Sequence, residues 1–212
     1  METILDLILG GTELQLIGFL VLCAVSFLGS MVAAALGLGG GLLVIATMAL
    51  YLSPAVLIPV HGVVQLGSNL GRAVLMARHV LKSVLPAFVV GTVLGATGPL
   101  VAPFAAAANK DRQGVVATHA ILMTIQHSLK VVAFGFLGFA FGPYIPLLIG
   151  LIACGFAGTW TGRHILNRLP EKAFRIGLKT ILTLLALRLL YGALADLALK
   201  RPTTGARYLS RL

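Results

Sequence analysis

The chain has 212 residues, of which 58% are hydrophobic and only 10% are charged, whereas a soluble domain carries about 25% charged residues. This composition excludes a soluble globular enzyme and a disordered chain, and the presence of only two cysteines excludes a disulfide scaffold. The net charge of +10 does not indicate a nucleic-acid partner, because the basic residues form no single face. In a membrane protein such a charge is typical of cytoplasmic loops and of contact with anionic lipids, so the predicted partner is the lipid bilayer.

Apolar segments of membrane-spanning length follow one another along the chain. A helix needs about 20 apolar residues to cross a bilayer, and six segments come close to or exceed that length: 14–36, 55–77, 83–108, 115–141, 144–162 and 173–199. A seventh segment, 42–52, is apolar but reaches only about half-way across at about 1.5 Å per residue. The sequence therefore predicts an all-α, polytopic membrane helix bundle with broken or re-entrant short helices, in which residues 1–212 form a single integral membrane domain.

The charges at the segment ends predict part of the orientation. The acidic N-terminal stretch and the basic segment 78–82 place the N-terminus outside and that segment inside. Two later basic stretches, 163–175 and 200–211, lie on either side of a single predicted span. The side of the C-terminus is therefore left open, as is the number of copies in the assembly.

A weak internal repeat has an offset of 58 residues. Without a gap, this offset superposes Gly37 on Gly95, His61 on His119, and Arg72 on Lys130. Histidine and cationic residues are rare within membrane spans, so their coincidence is more informative than the matching apolar stretches. We predict two homologous repeats, 14–97 and 83–199, that overlap at a shared segment. Duplicated halves with short, glycine-interrupted segments indicate a transporter binding site.

Two predicted spans carry polar residues on one helical face. The first stripe, at offsets 0, 4, 7, 8 and 11, comprises His61, Gln65, Ser68, Asn69 and Arg72. The second stripe, at offsets 0, 7, 8 and 11, comprises His119, Gln126, His127 and Lys130. Such side chains also bond across membrane helices without a ligand, and Arg72 is long enough to reach the membrane interface. Two matched stripes nevertheless favour a ligand pathway.

The signs of the charges predict the sign of the ligand. All six acidic residues lie outside the middle of the predicted spans, at positions 2, 6, 13, 111, 171 and 196. A cation carrier needs carboxylates in the membrane, whereas this chain offers Arg72, Lys130 and neutral imidazoles. We therefore expect a small anion as substrate. His61 and His119 are candidates for carrying a coupled proton, because histidine titrates near neutral pH.

Glycine clusters precede both short apolar segments. They contribute Gly39, Gly40 and Gly41 before segment 42–52, and Thr97 and Gly98 before segment 100–108. A helix N-terminus presents N–H groups and the positive end of its dipole to an anion. We predict that both short helices begin within the membrane and point their N-termini at a cavity between the two stripes. The alternative role for these glycines is close helix packing.

Several stretches of sequence match those of one transporter family. They read GLGGGLLV at 37–44, GATGPLVAP at 95–103, ATH at 117–119 and LPEKAFR at 169–175. With them the chain resembles the TauE/SafE sulfite exporter family of membrane permeases, although it is shorter and its second glycine motif is degraded. The resemblance implies a multi-pass secondary transporter that exports sulfite, sulfonates or related small organic anions across the bacterial inner membrane, with no cofactor and no enzymatic activity.

Two other functions use the same residues. A transition-metal permease would use His61, His119 and His127 as ligands, although carboxylates and thiols are missing at that depth. An intramembrane hydrolase would pair Ser68 as nucleophile with His119 or His127 as base, although no hydrolase motif surrounds Ser68. A structural subunit of a larger complex is a further alternative that the sequence leaves open.

Overall fold

The computed structural model describes residues 14–86, 98–108 and 111–199, and every regular element in these ranges is helical. The α-helices in chain order are α1 (Leu16–Leu36), α2 (Gly40–Met48), α3 (Pro54–Leu75), α4 (Gly98–Ala108), α5 (Arg112–Phe136), α6 (Ile145–Arg168) and α7 (Glu171–Leu199). Short 3₁₀ turns lie at Ala77–His79, Lys82–Val84 and Gly142–Tyr144. The all-helical fold predicted from the sequence is confirmed for the described residues.

Three of these helices, α1, α5 and α6, are long and apolar enough to cross a membrane. The sequence predicts six spans, and the difference concerns α3, α7 and the segment 83–108. The polar stripe lowers the hydropathy of α3, and the second half of α7 is described only in part. The predicted span 144–162 also ends too early, since α6 continues as a helix to Arg168. The predicted span 83–108 lies only partly within the described residues.

Helices α1 and α2 form a tight hairpin. Gly37 and Gly39, in the connection, have φ angles of 89° and 96°, which L side chains rarely adopt. Gly37 caps α1 by donating its N–H to the Ala33 carbonyl at 2.9 Å. Gly40 then lies directly against Gly29 of α1, where a Cβ on Gly40 would overlap the Gly29 carbonyl oxygen. The glycines therefore allow α2 to fold back along α1.

Helices α1 and α6 pack in parallel at backbone contact. A Cβ on Gly158 would overlap the carbonyl oxygen of Phe27, and a Cβ on Gly162 would overlap that of Met31. The two glycines are four residues apart, a spacing that lets membrane helices approach closely. Because the contacting positions rise together along both helices, α1 and α6 run in the same direction.

Helices α3 and α5 pack antiparallel. His61, near the start of α3, faces His127 in the second half of α5. Beyond the end of α3, the Leu81 N–H donates to the Thr118 hydroxyl near the start of α5 at 3.0 Å. The two polar stripes therefore meet head to tail.

The starts of the two long polar-striped helices differ by the offset found in the sequence. Helix α3 begins at residue 54 and α5 at residue 112, a difference of 58 residues. Helix α4 begins at the first described residue after the stretch 87–97, so its start is not compared with that of α2. The counterpart of α1 under this offset is the segment 74–94, which is described only in part.

A polar clasp joins four helix ends. Glu171, at the start of α7, accepts the Arg175 Nε–H at 2.8 Å and the Arg112 backbone N–H at 3.2 Å. Arg112 also donates from Nε to the Leu166 carbonyl of α6 at 2.8 Å, and Arg175 donates to the Ala106 carbonyl of α4 at 3.2 Å. The stretch LPEKAFR at 169–175 therefore has a structural role at the junction of α4, α5, α6 and α7.

Candidate functional site

A cavity of about 200 Å³ lies where α2, α3 and α5 meet. Its polar wall consists of His61, Gln65, Asn69, Arg72, His119, Gln126, His127 and Lys130, together with the backbone of Gly39 and Gly41. Its apolar wall consists of Ala33, Leu38, Leu42, Ile45 and Met123. Ten of the fourteen residues predicted as site residues thus line one cavity, and the two stripes face each other across it.

The other four predicted residues are placed differently. The hydroxyl of Ser68 is hydrogen-bonded to that of Ser30 in α1 at 2.8 Å, because this position lies on the flank of the stripe that packs against α1. Gly40 packs on α1 rather than lining the cavity, so close packing accounts for it. Thr97 lies outside the described residues, and Gly98 is described only as the first residue of α4.

The Arg72 side chain is buried, with only 2% of its surface exposed. Its Nη2 donates to Asn69 Oδ1 at 2.7 Å, and Asn69 Nδ2 in turn donates to the Gln65 carbonyl at 2.7 Å. Nε and Nη1 of Arg72 have no hydrogen-bond partner within the described part of the chain. The guanidinium is therefore held by α3 itself, and two of its nitrogens are buried beside the cavity without a partner in the described residues.

Lys130 brings a second cation to the cavity wall. Its aliphatic chain lies over Gly62 of α3, where a Cβ would approach Lys130 Cδ to 3.3 Å. Gly62 was not among the residues predicted from the sequence, and its only signal there is a glycine in the middle of a polar-striped helix. It leaves the space through which the Lys130 chain crosses α3.

No carboxylate balances these cations among the described residues. The two ion pairs in the described ranges both use Glu171, which lies in the clasp, and the lining of the cavity contains no acidic side chain. A buried charge without a partner is costly, because its desolvation is not offset. The cavity therefore has a net positive character.

The histidine rings that lie closest across the cavity are not the two that the sequence offset superposes. The offset pairs His61 with His119, whereas the antiparallel packing brings the rings of His61 and His127 to a centroid distance of 6.1 Å at an interplanar angle of 82°. His61 Nε2 lies 3.1 Å from the Gly41 carbonyl oxygen, which can only accept. His61 therefore carries a proton on Nε2, and its Nδ1 is the acceptor in the neutral ring.

The N-terminal end of α2 borders the cavity. Gly39 precedes the helix and Gly41 lies in its first turn, and both contribute to the lining. The aligned peptide dipoles of a helix place a partial positive charge at this end. The short helix thus adds to the positive character that Arg72 and Lys130 give to the cavity.

The alternative functions, a transition-metal permease and an intramembrane hydrolase, also depend on where the histidines and Ser68 lie. His61, His119 and His127 line one cavity, but within the described residues no three His, Cys, Asp or Glu side chains are grouped closely enough to hold a metal ion. The hydroxyl of Ser68 bonds to Ser30 rather than to a histidine.

Comparisons of the chain with protein-family models, with curated proteins and with solved structures give no match. The resemblance to the TauE/SafE family therefore stays a prediction from sequence motifs. The clasp around Glu171 gives one of those motifs, at 169–175, a role in joining helix ends rather than in binding.

Proposed function

We propose that this chain is a secondary transporter that carries a small anion through the bacterial inner membrane, with the cavity between α2, α3 and α5 as its binding site. The observation that carries the proposal is Arg72, a buried guanidinium whose Nε and Nη1 have no partner in the described residues and which lines a cavity without a carboxylate. An anion is the ligand that would offset this charge.

The hydrogen bonds around Arg72 favour an oxyanion. Nη2 of Arg72 donates to Asn69, whereas Nε and Nη1 have no partner in the described residues. Their N–H groups are therefore the donors that the oxygens of a ligand would take. Guanidinium and oxyanion groups form strong, charge-assisted bonds, often in pairs. Lys130 and the N-terminus of α2 supply further positive charge around the same space.

The size and the lining of the cavity limit the substrate. A volume of about 200 Å³ is smaller than the roughly 300–1,000 Å³ of sites that hold drug-sized ligands. One wall is cationic and the other is formed by aliphatic side chains, including Leu38, Leu42 and Ile45. Sulfite, sulfonates and related small organic anions, the substrates implied by the family resemblance, are compatible with both properties.

The proposed architecture is a bundle of two inverted repeats with half-length helices inside the membrane. The offset of 58 residues between the starts of α3 and α5 supports it, as does the antiparallel packing of these two helices. Transporters built from inverted repeats bind their substrates at the repeat interface, next to the ends of broken helices. The cavity lies between α3 and α5 and borders the start of α2, as this architecture requires.

The test is transport by the purified chain in proteoliposomes. Uptake of labelled sulfite, methanesulfonate, sulfate and acetate is measured, together with the thermal stability of the protein in the presence of each anion and of divalent metal ions. We expect at least one small anion to be taken up against empty liposomes and to stabilise the protein. Stabilisation by divalent metals alone would instead favour the transition-metal permease.

A further inference from the structure

We propose that the cavity binds a proton together with the anion, and that the proton is held by the His61–His127 pair. The inference rests on the proposed function, because it names the coupling ion of the same site. It differs from the sequence expectation, in which His61 and His119 are the proton carriers.

The pair has the geometry of a proton site that is closed to the solvent. Both side chains are nine-tenths buried, with 7% of His61 and 8% of His127 exposed. Nε2 of His61 donates to the Gly41 carbonyl, so Nδ1 of the same ring can take up a proton without breaking that hydrogen bond. Nδ1 of His127 has no hydrogen-bond partner within the described residues, so it is a second acceptor or donor position.

The surroundings link the proton to the anion. The titratable and charged groups that line the cavity around the pair are Arg72 on α3, and His119 and Lys130 on α5. The lining residues from α1, α2 and their connection are glycine or apolar and carry no charge. In the empty cavity the two cations oppose a further positive charge, which favours neutral rings.

An anion in the cavity reverses this preference. Its negative charge offsets Arg72 and Lys130, and an imidazolium then gains an attractive partner in place of a repulsive one. Because linkage is reciprocal, a bound anion must increase the proton affinity of the pair by the same factor by which the proton increases the anion affinity. The solution supplies the proton to a ring nitrogen, and the proton leaves with the anion on the other side.

The consequence is a defined stoichiometry. One monovalent anion that moves with one proton transfers no net charge across the membrane. A pH gradient then drives its transport, whereas a membrane potential does not.

The first measurement is proton uptake on anion binding by the purified wild-type chain. The probes are methanesulfonate and sulfate, which stay ionised over the range in which histidine titrates. The medium is lightly buffered with Bis-Tris, because common sulfonate buffers resemble the probes. We expect the pH of the medium to rise on binding, and the affinity to fall by up to about tenfold per pH unit on the alkaline side of the histidine titration.

The second measurement uses substitutions of the pair. We expect the double variant His61→Gln/His127→Gln to lose proton uptake while it still binds the anion more weakly through Arg72. The control is His164→Gln, since this histidine is exposed on α6 and lies outside the cavity, against Trp160 of its own helix. That control variant should take up protons as the wild type does.

Three results would overturn the inference. The first is anion binding by the wild type without proton uptake and without pH dependence, which leaves the proposed function standing and does not depend on any variant folding. The second is full proton uptake by the double variant. The third is no binding of either probe; if the other anions of the transport assay also fail to bind, the proposed function falls as well.

Discussion

At the scale of single residues, the charge on Arg72 is the feature whose removal should matter most. The variants Arg72→Gln and Lys130→Gln keep a polar side chain but lose the cation. Loss of one desolvated, charge-assisted contact should weaken anion affinity by a few kcal/mol, about 10²-fold. The matched controls are Arg78→Gln and Lys179→Gln, which remove exposed cations outside the cavity. Labelled-anion transport at sub-saturating concentration provides the measurement.

Two outcomes of that experiment differ in meaning. If both cavity variants transport as well as the wild type, the cations do not bind the substrate, and Arg72 and Lys130 have structural roles. If the exposed controls are impaired to the same extent, the loss reflects the net charge of the protein rather than the cavity.

Gly62 gives a second residue-scale prediction, which concerns the path of the Lys130 chain. The variant Gly62→Ala places a methyl group 3.3 Å from Lys130 Cδ, so the chain must shift. We expect anion affinity to fall by about 1 kcal/mol, roughly fivefold. The control Gly135→Ala changes a glycine of α5 that has open space around it, and it should leave affinity unchanged. Equal affinities for the two variants would show that the position of Lys130 is not critical.

The sequence predicts which residues line the cavity better than it predicts which of them contact one another. Helical spacing is a local property, and eight of the nine stripe residues it places on two helical faces line the cavity, Ser68 being the exception. Which residue meets which across the cavity depends on helix direction, and the antiparallel packing pairs His61 with His127 instead of His119. Ser68 lies on the flank of its stripe that packs against α1, where its hydroxyl bonds to that of Ser30, a partner distant in sequence.

At the scale of elements, the α1–α2 hairpin depends on one backbone contact. The variant Gly40→Ala would place its Cβ against the Gly29 carbonyl, a backbone atom that cannot rotate away. We expect a loss of stability of about 1–3 kcal/mol or more, seen as a lower thermal midpoint in detergent. Gly142→Ala is the control, because nothing lies within 4 Å of the added methyl group. A thermal midpoint equal to that of the control would mean that α2 does not pack on α1 in this way.

Helix positions follow from the sequence more closely than helix lengths and numbers of spans. The predicted segments 14–36 and 55–77 agree with α1 and α3 to within two residues at either end. The end of α6 was predicted too early, because the cations from Arg163 onward suggested a loop. An exposed arginine costs a helix little, so α6 continues through Arg168 until Pro170.

At the scale of the whole molecule, the helix pair α1–α6 and the helix pair α3–α5 have different structural roles. Helices α1 and α6 meet at backbone contact along a row of glycines, which makes them a close-packed frame. Helices α3 and α5 instead enclose buried polar side chains and the cavity between them. The α1–α2 hairpin connects the α1–α6 pair to the α3–α5 pair, because α2 packs on α1 and its N-terminal end lines the cavity.

The cations are distributed unequally between the two ends of this bundle. The end of α3, the start of α5 and the junction of α6 with α7 lie together, as the contacts of Leu81 and Arg112 show. The cations at this end are Arg78, Lys82, Arg112, Arg163, Arg168, Lys172 and Arg175. The described segments at the opposite end, 14–15, 49–54 and 137–145, contain no charged residue.

This asymmetry predicts the orientation of the protein in the membrane. Loops rich in Lys and Arg stay in the cytoplasm, so the clasp end should face the cytoplasm and the segment 137–145 the outside. The test starts from a variant in which Cys23 and Cys154 are replaced by alanine. In that background Ala140→Cys should react with a membrane-impermeant maleimide in intact cells, whereas Ser83→Cys and Lys172→Cys should react only after permeabilisation. All three positions are exposed, so burial does not limit the reaction. Labelling of Ser83→Cys and Lys172→Cys on opposite sides would contradict the shared end, because α3 and α6 would then run in opposite directions.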